Sequence, residues 1–156
     1  MNLKARFNQL ETLLTSVGAF LFPVVLLVMR LFWGWQFFQT GKGKLMNLDR
    51  TAGYFASIDI PLPKLNAFMA GLTEAGGGLL LALGLASRLA SFPLIVVMFV
   101  AYATADREAL MAAFSDPDRF TSAAPFLFLL TCVIIFSAGP GKYSLDAWLK
   151  RPGAGK

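Results

Sequence analysis

The chain alternates between long apolar runs and shorter polar stretches. Four apolar runs can be distinguished, and each is close to the ~20 residues that an α-helix needs to cross a bilayer. The third run is short and contains Pro93, which a membrane helix tolerates when neighbouring groups satisfy the carbonyl that it frees. The pattern predicts an all-α fold, an integral membrane four-helix bundle whose spans cover residues 20–39, 65–84, 89–105 and 123–138.

Residues 1–19 have a different pattern, in which apolar side chains recur at helical spacing among polar ones. The apolar stripe consists of Leu3, Phe7, Leu10, Leu14 and Val17. This spacing predicts a short amphipathic helix that lies on the membrane surface. A cleaved signal peptide is the alternative. We favour the amphipathic helix, because the next apolar run contains Arg30 and lacks a small-x-small cleavage site.

Two of the polar stretches contain further helical patterns. Residues 40–64 predict a short interfacial helix. Its apolar face consists of Leu45, Leu48, Ala52 and Phe55. The stretch "DREALMAAFSDPDRF" at residues 106–120 predicts another short helix that ends at the turn "SDPD". The membrane domain is therefore expected over residues 20–149, and a flexible tail over residues 150–156.

Four spans would place both termini on the same side of the membrane. That side carries seven Lys and Arg residues outside the spans, and the opposite side carries six. An excess of Lys and Arg is typical of cytoplasmic loops, so the count slightly favours cytoplasmic termini. The net charge of +5 indicates contact with anionic lipid rather than with nucleic acid.

Composition excludes several kinds of chemistry. The chain is 56% hydrophobic and 15% charged, whereas a soluble domain is nearer ~25% charged. It contains no histidine and one cysteine, Cys132. Ligand sets for haem, zinc or iron–sulfur clusters are therefore missing, so no metal site is expected. An internal disulfide and Ser/His or Cys/His catalysis are excluded as well.

Two charges of opposite sign lie near the centres of the first two predicted spans. An unpaired charge at that depth costs about 2.5–3.5 kcal/mol on insertion scales, so we expect Arg30 and Glu74 to form a pair. Small residues that allow close helix contact surround them, including Gly34, Gly71 and Gly78. The pair would either fix the register of the two spans or form a polar site for a quinone, a small solute or a proton.

Several ordered motifs resemble those of the DoxX family of small four-helix membrane proteins. They are "RLFWGWQFFQTGKGK", "FASIDIP", "GLTEAGGGLLLALGLASR" and "GPGKYSLD", and the resemblance covers about residues 20–149. It implies four spans and a location in the bacterial inner membrane. It also marks four charged residues as matching family positions: Arg30, Lys44, Glu74 and Arg88.

Two features depart from the family pattern. Asp59 stands where the family usually has glycine, and the histidines of many members near the third span are missing. Any role that depends on histidine, including metal handling, is therefore in doubt. The family is named for a subunit associated with thiosulfate–quinone oxidoreductase, which implies an accessory role in redox chemistry.

Three functions are compatible with these observations. The first is a membrane subunit of a quinone-linked oxidoreductase system, without redox centres or a covalently bound cofactor. In this system, Arg30 and Glu74 would orient a polar head group or relay protons. Lys44 would attract an anionic substrate, and a partner protein would carry the redox centres. The alternatives are a scaffold or assembly factor for a partner protein, and a small-solute transporter acting as a dimer. The chain is expected to bind a partner protein or to form a homo-oligomer.

Overall fold

The computed structural model describes residues 3–150, and this part of the chain is helical without β-strands. It contains eight helices, α1 Leu3–Met46, α2 Leu48–Ser57, α3 Pro63–Leu83, α4 Ser87–Thr104, α5 Arg107–Met111, α6 Pro117–Ser122, α7 Pro125–Ala138 and α8 Leu145–Leu149. The predicted all-α membrane fold is therefore confirmed. The predicted flexible tail at residues 150–156 lies outside the described residues, except for Lys150.

Within residues 3–150, three helices are long and apolar enough to cross a membrane, namely α1, α3 and α4. The chain therefore contacts the lipid bilayer. Helix α7 covers the predicted fourth span, but its 14 residues reach only about 21 Å, less than the ~30 Å hydrocarbon core. The count of four spans thus stays a prediction.

Helix α1 is longer than the sequence pattern suggested. Residues 3–19 are helical and exposed, yet no break separates them from the first span, because the helix runs without interruption to Met46. Pro23 lies inside the helix and does not end it. The predicted amphipathic segment is therefore the first part of a 44-residue helix rather than a separate element.

Helices α1 and α3 pack against each other more extensively than any other pair among the described residues. They run antiparallel, and glycines bring their backbones together. A Cβ added to Gly34 would lie 2.7 Å from the amide nitrogen of Ala82 and 2.8 Å from the carbonyl oxygen of Gly78. A Cβ added to Gly41 would lie 2.6 Å from the carbonyl oxygen of Gly71. Since there is no space for a side chain, these glycines fix the helix register.

The rest of the bundle is held by an apolar core between α1, α3, α4 and α7. Its buried members are Phe37, Leu81, Ala90, Leu94, Met98, Cys132 and Ile135. Helix α4 packs mainly on α7, and α2 packs on α3. Helix α2 contains Leu48, Ala52 and Phe55 of the short helix predicted in the first polar stretch, whereas Leu45 belongs to α1. The second stretch forms two short helices instead of one, because the side chain of Asp116 accepts a hydrogen bond from the Arg119 amide and starts α6.

Candidate functional site

The centre of α3 carries a buried carboxylate, Glu74, whose exposed fraction is 1%. Its partner is the ammonium group of Lys44, near the end of α1, which contacts both carboxylate oxygens. The distance from Lys44 Nζ to Glu74 Oε2 is 2.6 Å. The Lys44 side chain is 30% exposed, so the pair lies at the edge of the bundle interior and not at its centre.

The predicted pair of Arg30 and Glu74 is wrong. The glycine contacts place Gly34 against Gly78 and Gly41 against Gly71, so Arg30 lies beside the end of α3. The prediction assumed that the packed part of α1 ends near residue 39, whereas it continues to the end of the helix. Arg30 is fourteen residues from Lys44, the partner of Glu74, which is about 21 Å along the axis of α1.

Arg30 is fully buried and holds the segment that follows α7. Its Nη2 donates a hydrogen bond of 2.6 Å to the carbonyl oxygen of Tyr143, while Nε and Nη1 have no partner among the described residues. Gly84 leaves room for the guanidinium, because a Cβ there would collide with Nη1. The φ of Gly84 is +70°, in the region that favours glycine. Gly84 lies within the motif "GLTEAGGGLLLALGLASR", and its place there therefore has a steric reason.

Asp146 ties the same segment to the start of α4. Its carboxylate accepts hydrogen bonds from the amides of Ala86 and Ser87 at 2.7 and 3.0 Å. Its own amide donates to the carbonyl oxygen of Gly84 at 2.9 Å. A carboxylate at a helix start satisfies amides that have no partner within the helix and interacts favourably with the helix dipole.

Arg88 belongs to this end of the bundle as well. Its Nη2 donates to the carbonyl oxygen of Ser137 at 3.2 Å, close to the end of α7. Arg30 thus holds the chain after α7, and Arg88 holds the last turn of α7. The structure separates these two predicted site residues from Glu74 and gives them structural contacts.

A cavity of about 560 Å³ lies beside the Lys44–Glu74 pair. It is bounded by α2, the α2–α3 loop, α3 and α4, and most of its surface is apolar. Its polar side chains are Lys44, Tyr54, Asp59, Asn66, Thr73, Glu74 and Thr104. A cavity with an apolar lining and a few convergent polar groups is typical of a small-molecule site.

The α2–α3 loop forms one wall of the cavity with a strained backbone. Asp59 has φ +58° and Leu62 has φ +45°, both in the left-handed region. Asparagine and aspartate tolerate this region better than other residues, and glycine tolerates it best. The glycine that the family usually has at the position of Asp59 therefore has a conformational explanation. Here the same position adds a carboxylate to the cavity.

Sequence reasoning missed the partner of Glu74 and the cavity wall. The motif that matched the family already contained Lys44, but helix register was needed to place it beside Glu74. The cavity wall depends on the path of residues 58–62, for which hydropathy carries no signal. Within residues 3–150, no group of three or more His, Cys, Asp or Glu side chains is placed to bind a metal ion.

Comparison with known proteins agrees with the motifs. The family model for DoxX matches residues 25–107. An uncharacterized membrane protein of Mycobacterium tuberculosis is 31% identical over 136 residues, which is 83% of each chain. No solved structure matches the chain. The range matched by the family model includes Lys44, Glu74 and every other residue that lines the cavity.

Proposed function

The chain belongs to the DoxX family of membrane proteins, and we propose that it binds a quinone-type ligand beside Lys44 and Glu74. In this proposal it is the membrane subunit of a quinone-linked oxidoreductase system. The observation that carries the proposal is a buried ion pair that opens on a cavity with an otherwise largely apolar lining. A polar head group and an apolar body are both accommodated by such a site.

The size and chemistry of the cavity fit a quinone ring. A volume of about 560 Å³ lies within the ~300–1,000 Å³ range of small-molecule pockets. The partly exposed ammonium of Lys44 is a hydrogen-bond donor suited to a quinone carbonyl oxygen. Glu74 holds that ammonium in place. A bound quinone would supply the electron-accepting chemistry, while these two residues position its head group.

The rim of the cavity is apolar, which favours a lipophilic ligand rather than a small polar solute. Met69, Val96 and Val100 line it and are also 44–50% exposed on the outer faces of α3 and α4. These faces belong to helices that are apolar enough to span a bilayer. A ligand with an isoprenoid tail would therefore leave that tail among the lipid chains while its head group reaches Lys44.

The sequence supports the need for a partner. The chain has no histidine, and its one cysteine is buried in the core. Its own side chains therefore offer no ligand set for a redox metal. A partner protein would exchange electrons with the bound quinone. The proposal places this assembly in the bacterial inner membrane with the termini of the chain in the cytoplasm.

The test compares the quinone content of the wild-type chain and of two variants after gentle purification from membranes. We expect the wild-type chain to retain quinone and Ala70→Phe, which fills the cavity, to lose it. Leu72→Phe is the matched control, because Leu72 lies on α3 but is exposed outside the cavity. Equal quinone content in both variants, or none in the wild type, would contradict the binding site.

A second measurement addresses the redox assembly. Proteins crosslinked to the chain in membranes are identified and assayed for reduction of an added quinone. Lys44→Met should lower this activity, while Glu108→Gln, which removes an exposed ion pair with Arg119, should not. If quinone binds but no quinone-reducing activity is recovered, the binding site stands and the oxidoreductase assignment is wrong.

A further inference from the structure

The first part of α1 carries an uncovered heptad pattern. Six exposed apolar residues are separated alternately by four and three positions, as at the a and d positions of a coiled coil, in the series Leu3, Phe7, Leu10, Leu14, Val17 and Leu21. Each is between 46% and 83% exposed. Leu13, Phe20 and Phe22 are exposed apolar residues outside this series. Every residue from 3 to 22 is exposed. Lys142 lies over the ring of Phe20 at position g, beside this face and not on its a and d positions.

Three charged residues flank this heptad face, and the first of them is Lys4 at position e. With Phe7 at position a, Arg6 falls at position g and Glu11 at position e. In a parallel two-stranded coiled coil, a g residue faces the e residue five positions later on the other helix. Arg6 of one chain would therefore face Glu11 of a second copy, and the symmetry would form this pair twice. Within one helix, a spacing of five does not bring the two side chains together.

We propose that a second copy of this chain docks on the heptad face and forms a parallel pair of α1 helices. Two copies inserted in one bilayer with the same topology are related by a two-fold axis along the membrane normal. That axis makes their α1 helices parallel, which is the arrangement that the Arg6 and Glu11 positions require. The interface is independent of the Lys44–Glu74 cavity.

The continuity of α1 favours this occupant over a lipid surface. A helix that lies in the membrane interface must turn away from the direction of the span, but α1 has no break between Leu3 and Met46. An interfacial helix is also typically rich in Lys and Arg on its polar face. Here the segment has Lys4 and Arg6 as its cations and Glu11 as an acid.

Disulfide crosslinking of the full-length chain in nanodiscs tests the interface. Cys132→Ala removes the native cysteine, and single cysteines are then placed at Leu10, Leu14 or Thr12. Positions a and d face their own copies across the two-fold axis, so Leu10→Cys and Leu14→Cys should crosslink on the order of tenfold faster than Thr12→Cys. Thr12 is at position f, on the opposite side. Equal rates at all three positions would overturn the proposal.

Charge reversal distinguishes docking of a second copy from binding to a lipid surface. Arg6→Glu and Glu11→Arg each place like charges together, so each should weaken dimerisation roughly fivefold to tenfold, and the double reversal should restore it. Energy transfer between labelled chains at varied lipid dilution measures this. On an anionic lipid surface, Glu11→Arg would instead strengthen binding. Stronger binding to anionic vesicles, without rescue of dimerisation by the double reversal, would assign the face to lipid.

Discussion

Lys44 reaches Glu74 across the contact between α1 and α3, and its ammonium lies 2.6 Å from the Oε2 oxygen. The two residues are held together by the glycine contact of Gly41 with Gly71 a short distance away. In an α-helix, side chains tilt towards the N terminus, so the Lys44 side chain points back along α1 towards this contact. The geometry explains how a carboxylate is tolerated within an apolar helix.

Breaking one half of the ion pair should cost more stability than replacing both halves. Lys44→Met leaves the Glu74 carboxylate buried without its partner, which we expect to cost about 3 kcal/mol of unfolding free energy. The double variant Lys44→Met/Glu74→Leu should lose less, because no charge remains in the site. Thermal unfolding in one detergent measures both variants. A double variant less stable than Lys44→Met would show that Glu74 has a second stabilising contact.

The glycine contact should be sensitive to a single methyl group. Gly41→Ala introduces a Cβ against the backbone of α3 and should destabilise the protein by about 1–3 kcal/mol. Gly43→Ala is the matched control, because a Cβ there meets no atom within 4 Å. On the same helix, that change should be neutral or stabilise by up to about 1 kcal/mol. Equal unfolding free energies for the two variants would contradict the register.

Loss of the Asp146 carboxylate should release the segment after α7. Asp146→Ala removes the acceptor for the amides of Ala86 and Ser87, at a cost of about 1 kcal/mol. Limited proteolysis should then cleave within residues 139–150 faster than in the wild type. Asp118→Ala serves as a control on an exposed helix. Unchanged cleavage would mean that Arg30 holds the segment without Asp146.

The left-handed backbone at Asp59 should discriminate between substitutions. Asp59→Val places a β-branched residue at φ +58° and should lower the unfolding free energy by about 1–2 kcal/mol. Asp59→Gly should be tolerated, since glycine adopts this conformation without a steric cost. Thermal unfolding of both variants provides the comparison. Greater damage by glycine than by valine would show that the Asp59 carboxylate matters more than its backbone.

Hydropathy predicted the apolar helices because burial in lipid requires long apolar runs. Helices α3 and α4 begin and end within two residues of the runs at 65–84 and 89–105. The extent of α1 was missed, because residues 40–46 contain Gly41, Lys42, Gly43 and Lys44, which look like a loop in sequence. In the fold, they remain helical because Gly41 packs against α3.

The partner of each buried charge could not be read from the sequence. Hydropathy places a residue along the membrane normal only to within one or two helical turns. Predicting which two charges form an ion pair requires the register of the two helices to be known more finely than that. That register is set by backbone contacts at Gly34 and Gly41, which have no periodic signal of their own. The return of the chain after α7 to Arg30 likewise depends on Tyr143 and Asp146, which lie outside any apolar run.

The fixed spacing of Arg30 and Lys44 on α1 links the protein to membrane thickness. They are separated by about 21 Å, whereas the hydrocarbon core is ~30 Å thick. A symmetric placement puts each charge about 5 Å below a headgroup boundary, where a charge costs far less than at the midplane. A thicker bilayer would submerge both charges further, and a thinner one would bring both to water. Tilt of α1 or a local change in bilayer thickness would offset such a mismatch at a modest cost, so the two charges bias the chain towards bilayers of intermediate thickness.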